Sequence, residues 1–252
     1  MTSVKQPRLP KQILSQLFKV YDEKADIYDT VSRYQDSKND ILKIILQEDV
    51  KGKVVLDMGA GTGRASIPLA VKAKKVYALD QSKSMLRILR KKIKAKKIKN
   101  ISILKSPFKR IPIPSESVDL VVSVWSFPTH SKNWDRDLRE VRRVLKKNGK
   151  ILVFDTYHGG EYYRMRKKFH NPELFSSLEN FKRDLRKWMV SRGFRYRILD
   201  VVADFRTKLN VERVCAHFFG YELATHMLAR DKVIFGMKVF MFYGGKQSQR
   251  RA

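Results

Sequence analysis

Cysteine is nearly absent from this chain. Its 252 residues include one, Cys215, so neither an internal disulfide framework nor a multi-cysteine metal site can be built. The five histidines, His130, His158, His170, His217 and His226, show no close ligand spacing, and a structural metal is not expected. Long apolar runs are missing as well. No window approaches the roughly 18 consecutive apolar residues that a membrane span needs, and the N-terminus MTSVKQPRLPKQIL has no apolar stretch of signal-peptide length. Both absences read as a cytoplasmic protein with no membrane span. Acidic residues are scarce too: 25 Asp and Glu face 54 Lys and Arg, a net charge of +29.

That charge is unevenly spread. Residues 1–50 balance to zero, whereas 51–100 carry a net +13. A field of this sign attracts polyanions, which opens RNA, anionic membrane surfaces and acidic substrates as partners. The plain alternative is a solvated, lysine-rich surface. With 43% hydrophobic and 11% aromatic residues, the chain can bury one sizeable core. A single domain over 1–252 is expected, with a helical arm in 1–50, a core in 51–156 and an insertion with the last helices and strands in 157–252.

Periodicity places the elements. Ile13, Leu14, Leu17, Phe18, Tyr21, Ala25 and Tyr28 fall on one face of a helix over 11–29. A second helix is expected over 37–47. Short apolar runs then predict strands at 53–57, 75–80, 101–105, 119–125 and 150–156. Helices are predicted at 63–72, 82–97 and 133–147, the last stopped by Asn148-Gly149. Alternation of this kind makes an α/β, doubly wound, mostly parallel sheet. Further helices are expected over about 178–192 and 210–229, before an antiparallel last strand, VIFGMKVFMFYG.

The segment VLDMGAGTGR, Val55 to Arg64, carries the chemistry. A buried strand closes on Asp57, and Gly59, Gly61 and Gly63 follow at alternate positions. Glycines let the backbone turn at positive φ and bring its N–H groups against a ligand, while the start of the next helix favours an anionic group. The dinucleotide fingerprint fails, because Arg64 occupies its sixth position, and no Gly-Lys-Ser/Thr makes a Walker loop.

The pattern D-x-G-x-G-x-G resembles motif I of the class I S-adenosylmethionine-dependent methyltransferases, most closely the group of ubiquinone and menaquinone C-methyltransferases. The resemblance covers roughly residues 18–156 and implies a Rossmann-like sheet binding S-adenosyl-L-methionine. In that family the backbone of the loop, here Gly59, Ala60, Gly61, Thr62 and Gly63, cradles the methionine part, and the acidic residue, here Asp57, orients it. The next strand ends in Asp80, 17 residues after Gly63, where a carboxylate can accept both ribose hydroxyls. DQSKSML matches the family pattern that sets a methionine, Met85, near adenine, with Gln81 beside the nucleoside. The adenine-facing Asp of the family falls on Pro107, which offers no side-chain or N–H partner, and Phe108 is expected to supply an aromatic wall instead. Trp125, at the end of the fourth strand, joins the cofactor set. The arm segment FKVYDEKADIYD resembles the family's N-terminal signature, so Tyr28, with Tyr21 and Asp29, is expected to line the site.

Methyl acceptors in such sheets occupy the crevice at the carboxyl ends of the strands. His130 is the candidate general base there, with His158 second. No N-P-P-Y or D-P-P-Y tetrapeptide is present, which argues against the amino-methylating nucleic-acid branch. Three readings stay open: a small-molecule methyltransferase, a tRNA or rRNA methyltransferase suggested by the charge, and a non-catalytic RNA-binding protein on the same fold suggested by Pro107. The insert YHGGEYYRMRKKFHNP, with Tyr157, Tyr162 and Tyr163 beside Arg164, Arg166, Lys167 and Lys168, fits a nucleic-acid contact, a lid over a small anion, or a wet basic helix face. The lysine-rich stretch from Lys83 to Lys99 is expected to flank the sheet as a solvated face.

Overall fold

A computed structural model describes residues 21–129, 131, 133–169 and 172–246. Among the described residues, the helices α1 (Ala25–Tyr34) and α2 (Asp40–Gln47) lie ahead of the first strand. The sheet strands are β1 (Val54–Met58), β2 (Lys75–Asp80), β3 (Ile101–Lys105), β4 (Val118–Val124), β5 (Leu145–Thr156), β6 (Arg195–Asp204) and β7 (Ile234–Gly245). Around them lie α3 (Ser66–Leu69), α4 (Lys83–Ala95), α5 (Trp134–Val144), α6 (Gly160–Phe169), α7 (Pro172–Ser191) and α8 (Tyr221–Leu228). The order is β3-β2-β1-β4-β5-β7-β6. β1 to β5 pair in parallel, and β7 enters antiparallel between β5 and β6. The expected doubly wound, mostly parallel sheet is present, and its strand order reverses between β1 and β4, the place where such sheets open a crevice.

Both faces of the central sheet are covered, which is why β1 and β4 are mostly apolar rather than alternating. Val55, Val76, Val122, Leu152 and Phe154 point to one side with α1, α2, α8 and the segment before α8. Leu56, Met58, Val121, Ile151, Val153, Phe240 and Phe242 point to the other, against Trp134 and Leu138 of α5 and Phe181, Leu185 and Trp188 of α7. The alternation of neighbours such as Val55 and Leu56 follows from the two-residue period of a strand.

Several helix expectations change at their ends. The helix over 63–72 shrinks to α3, because Gly59, Gly61 and Gly63 all hold positive φ (80°, 52° and 92°) and keep the chain in turns beyond the loop. The predicted helix over 133–147 stops at Val144: Leu145 is extended and fully buried, and Asn148-Gly149 lies inside β5 rather than after a helix. There Val118 pairs with Leu145 and Leu120 with Lys150, so the intervening residues form an irregularity in the ladder. The helix over 210–229 is broken into Lys208–Asn210, a π-helical turn Val211–Cys215, Ala216–Phe219 and α8, the last break at Gly220 with φ of 106°. The helix expected over 178–192 begins earlier, at Pro172, a residue suited to a first helical turn. Residues 11–20 of the expected arm lie outside the described residues. Among the described residues no helix is long and apolar enough to cross a membrane, and no cluster of His, Cys, Asp or Glu is arranged to hold a metal.

Two tryptophans tie α5 and α7 to the sheet, their rings 5.1 Å apart and edge to face. Trp188 is fully buried, and its indole N–H has no hydrogen-bond partner among the described residues. Trp188→Ala is expected to lower the free energy of urea unfolding by about 3–5 kcal/mol. Trp188→Phe, which keeps an aromatic ring and removes the unpaired N–H, should cost much less.

Candidate active site

Close packing forces the path of the glycine loop after β1. The Gly59 and Ala60 N–H groups donate to the Leu79 carbonyl at the end of β2, 2.8 and 2.9 Å away. A Cβ on Gly59 would stand 1.9 Å from the Ser126 hydroxyl, and one on Gly63 would stand 2.4 Å from Leu89 of α4. Gly61 faces open space instead; among the described residues a Cβ there would meet Tyr28 alone, at 3.5 Å. Its N–H donates to Oδ2 of Asp80 at 2.8 Å, and the Ser82 N–H donates to Oδ1, also at 2.8 Å. Asp80 is thereby held rigidly between loop and helix, with lone pairs left over for a ligand.

An open cleft lies over these groups. Gly59, Gly61 and Asp80 form its floor, with Gln81, Ser82 and Met85 at the start of α4. Phe108, Val124, Trp125 and Ser126 close one side, and Tyr21, Asp22 and Tyr28 from the arm close the other. Tyr21 and Tyr28 stand edge to face with centroids 5.2 Å apart. Phe108 is braced edge-on by Phe127 at 6.2 Å. Trp125 sits at φ 53° and carries the Arg64 guanidinium 4.6 Å over its ring.

Of the residues expected from the sequence, Tyr28, Gly59, Gly61, Asp80, Gln81, Met85, Phe108 and Trp125 come together around this cleft. Asp57, Ala60, Thr62 and Gly63 stand behind its wall, all four buried, with Gly63 packed on Leu89. Asp29, expected beside Tyr28, turns away to Lys92 and Arg33. His130 lies outside the described residues. His158 is described, but burial, with the charges of Lys182 and Arg166, pushes its pKa down to about 3, so the imidazole is neutral and a weak base. Asp22, Ser82, Val124 and Ser126 line the cleft without having been expected there. The signal for Ser82 is its place as N-cap of α4, where its hydroxyl accepts from the Met85 N–H at 3.2 Å and donates to Asp22 at 2.6 Å.

The electrostatics of the cleft run against those of the whole chain. Burial raises the Asp80 pKa against its backbone hydrogen bonds, and the neighbouring Asp22 raises it further. Asp57 is pushed up to about 6, first by burial and then by the charge of Asp80, although the Ser66 hydroxyl donates to it at 2.5 Å. Burial and the nearby carboxylates also raise both tyrosines. A protein of net charge +29 therefore keeps a small acidic, aromatic-walled hollow, which suits a ligand with a planar base, a diol and a positive charge.

The comparisons with known proteins agree with this geometry. The family model described as "Methyltransferase domain" matches residues 56–153, the span from β1 to β5. An uncharacterized methyltransferase of a Geobacillus species is 27% identical over 202 residues, covering 76% of this chain and 83% of that protein. A demethylmenaquinone methyltransferase of Alkalihalophilus pseudofirmus is 29% identical over 159 residues, covering 62% of this chain and 65% of that protein. The solved structure of a SAM-dependent methyltransferase from Aquifex aeolicus superposes with a TM-score of 0.55 at 23% identity, over 87% of this chain and 97% of that one. Sheet order, glycine loop and family match define a methyltransferase. The chain carries this methyltransferase domain over residues 56–153 and is an S-adenosylmethionine-dependent methyltransferase, with S-adenosyl-L-methionine as its cofactor.

The raised Asp57 pKa has a measurable effect. Between its ordinary 3.8 and about 6, the folded chain holds a proton that the unfolded chain has lost, so stability falls as pH rises through that window. Asp57→Asn is neutral at every pH. Urea unfolding should find it level with wild type near pH 3.5 and more stable by about 3 kcal/mol at pH 7.

Proposed function

We propose that this enzyme methylates a small molecule, holding S-adenosylmethionine in the cleft between the arm tyrosines and the glycine loop. One observation carries the cofactor assignment: the Asp80 carboxylate, fixed by the Gly61 and Ser82 N–H groups, ends β2 on the floor of the cleft. Its free lone pairs would accept the ribose hydroxyls. Met85 and Phe108 would flank the base, with Phe108 taking the wall that Pro107 cannot supply. Gly61, with no Cβ, lets the backbone approach the methionine end. Asp57 and Asp22 add negative charge that favours a cationic ligand.

When bound, the cofactor supplies an electrophilic methyl group on a positively charged sulfur. The protein's own contribution is alignment and exclusion of water: Tyr21, Tyr28 and Trp125 cover the cleft from both sides, and displacement in line gains much of its rate from such positioning. His158, with its low basicity, would serve as a neutral hydrogen-bonding group rather than as a base.

A small acceptor is supported over RNA by the likeness to demethylmenaquinone methyltransferases and by the placement of the basic residues. Lys83, Arg87, Arg90, Lys91, Lys94, Lys96, Lys97 and Lys99 are exposed on the outer flank of the sheet, whereas the cleft is acidic. Calorimetric titration tests the reading. Wild type should bind S-adenosylmethionine, and Asp80→Ala should bind it about 10- to 100-fold more weakly, the loss of charge-assisted hydrogen bonds. No heat of binding with wild type, or equal affinity in the variant, would overturn the assignment.

A further inference from the structure

Beyond the cofactor cleft, the long insertion between β5 and β6 builds a second polar centre. Lys182 of α7 reaches to within 2.7 Å of Oδ2 of Asp155, near the C-terminal end of β5. The same oxygen accepts the Thr129 hydroxyl at 2.6 Å, and Oδ1 accepts the Thr156 N–H at 2.7 Å. Both ions are buried, with 11% and 5% of their side chains exposed. A buried ion pair is expensive in desolvation, and an apolar pair of similar size is often at least as stable. Asp155 stands in register with Phe240 of β7, among core residues where a leucine would pack, so stability does not account for the pair.

Its position does suggest a use. Thr129 follows shortly after Trp125 and Ser126 of the cofactor wall, and Tyr21 on the opposite wall lies within the field of the Asp155 charge. Lys182 also lines a separate open groove, walled by Tyr157, His158 and Phe240, with Arg183 and Arg186 at its edge. Glu179 also borders it, but its carboxylate is engaged by the Tyr163 hydroxyl. The His158 ring lies parallel to Phe175 at 6.0 Å, and its buried Nδ1 has no hydrogen-bond partner among the described residues. The pair thus borders a groove with flat aromatic walls and cationic side chains, none of which lines the cofactor cleft.

We propose that this groove is a second ligand site, separate from the cofactor cleft, that it takes a planar aromatic anion, and that Lys182 is the residue that binds its charged oxygen. Asp155 and Thr129 use two directions of the ammonium, at 2.7 and 3.4 Å, and leave the third for the ligand. Asp155 is a positioning residue: it keeps Lys182 extended toward the strand end. Tyr157 and Phe240 offer the ring an apolar seat, and Arg186, held against the Tyr196 hydroxyl, draws the anion in. A carboxylate and a phenolate share this chemistry, and the experiment separates them.

Absorbance titrations with 4-nitrobenzoate and with 4-nitrophenol, each with S-adenosylhomocysteine present, provide the test. Wild type should bind at least one probe, and if it is the nitrophenol, the yellow phenolate band should grow at a pH where the free probe is mostly protonated. The probe that binds names the oxygen acid. Lys182→Met should weaken that binding by about tenfold or more, and Lys182→Arg should keep most of it. Since Lys182→Met strands a buried carboxylate, the double variant Lys182→Met/Asp155→Leu serves as the folded control and should lose the probe while still binding S-adenosylmethionine. Failure of both probes with wild type, or undiminished binding in both methionine variants, would sink the pocket assignment. Failure of S-adenosylmethionine to bind wild type would instead count against the cofactor reading, so the two are told apart.

Discussion

The site depends on one steric constraint: the turn after β1 runs where no side chain fits. Ser126 blocks a Cβ at Gly59 and Leu89 blocks one at Gly63, so the loop is clamped between the chain leaving β4 and helix α4. That clamp leaves Gly61 as the loop glycine with open space beside it, and directs its N–H onto Asp80. Three strand ends, β1, β2 and β4, are thereby brought to a single point. The cleft is the space left above that point, roofed by tyrosines from α1 and the residues just before it.

Much of this arrangement is legible in the order of the amino acids. Val54, Val55 and Leu56 read as a buried strand because both faces of a central parallel strand must be apolar. Asp80 stands out by its distance from the glycines, since one crossover helix and one strand separate the two carboxyl ends. What the sequence conceals are contacts between residues far apart along the chain. Lys182 and Asp155 meet across 27 positions, and nothing in the local pattern of an amphipathic helix distinguishes a lysine that turns inward. Ser82 and Asp22 are 60 apart. Helix ends depart from expectation where tertiary packing overrides local preference: Leu145 leaves α5 because its side chain is buried in the sheet, and Asn148-Gly149, a sound stop signal in isolation, becomes an irregularity within β5.

Charge is organised at two scales that oppose one another. The outside of the molecule carries the excess of lysine and arginine, yet the buried carboxylates Asp57, Asp80 and Asp155 all sit near the C-terminal ends of their strands, Asp80 on the floor of the cleft itself. Burial removes the water that would screen them, so each acts over a longer range than any exposed lysine. Asp57 and Asp80 answer with raised proton affinity, whereas Asp155 has acquired a lysine. The same physical problem is met in two ways within one row of strand ends.

The sheet order leaves β3 and β6 as its two edges. Each edge strand presents backbone groups that could recruit a strand from another molecule. On β6, Arg195, Arg197 and Asp200 are exposed; on β3, Lys105 is exposed at one end, and Lys97 and Lys99 of the turn after α4 are exposed at the other. Neighbouring copies meeting edge to edge would have to bring these lysines, or these arginines, together before any ladder could form. Part of the cationic excess can therefore be understood as insulation, keeping an open seven-stranded sheet from extending itself.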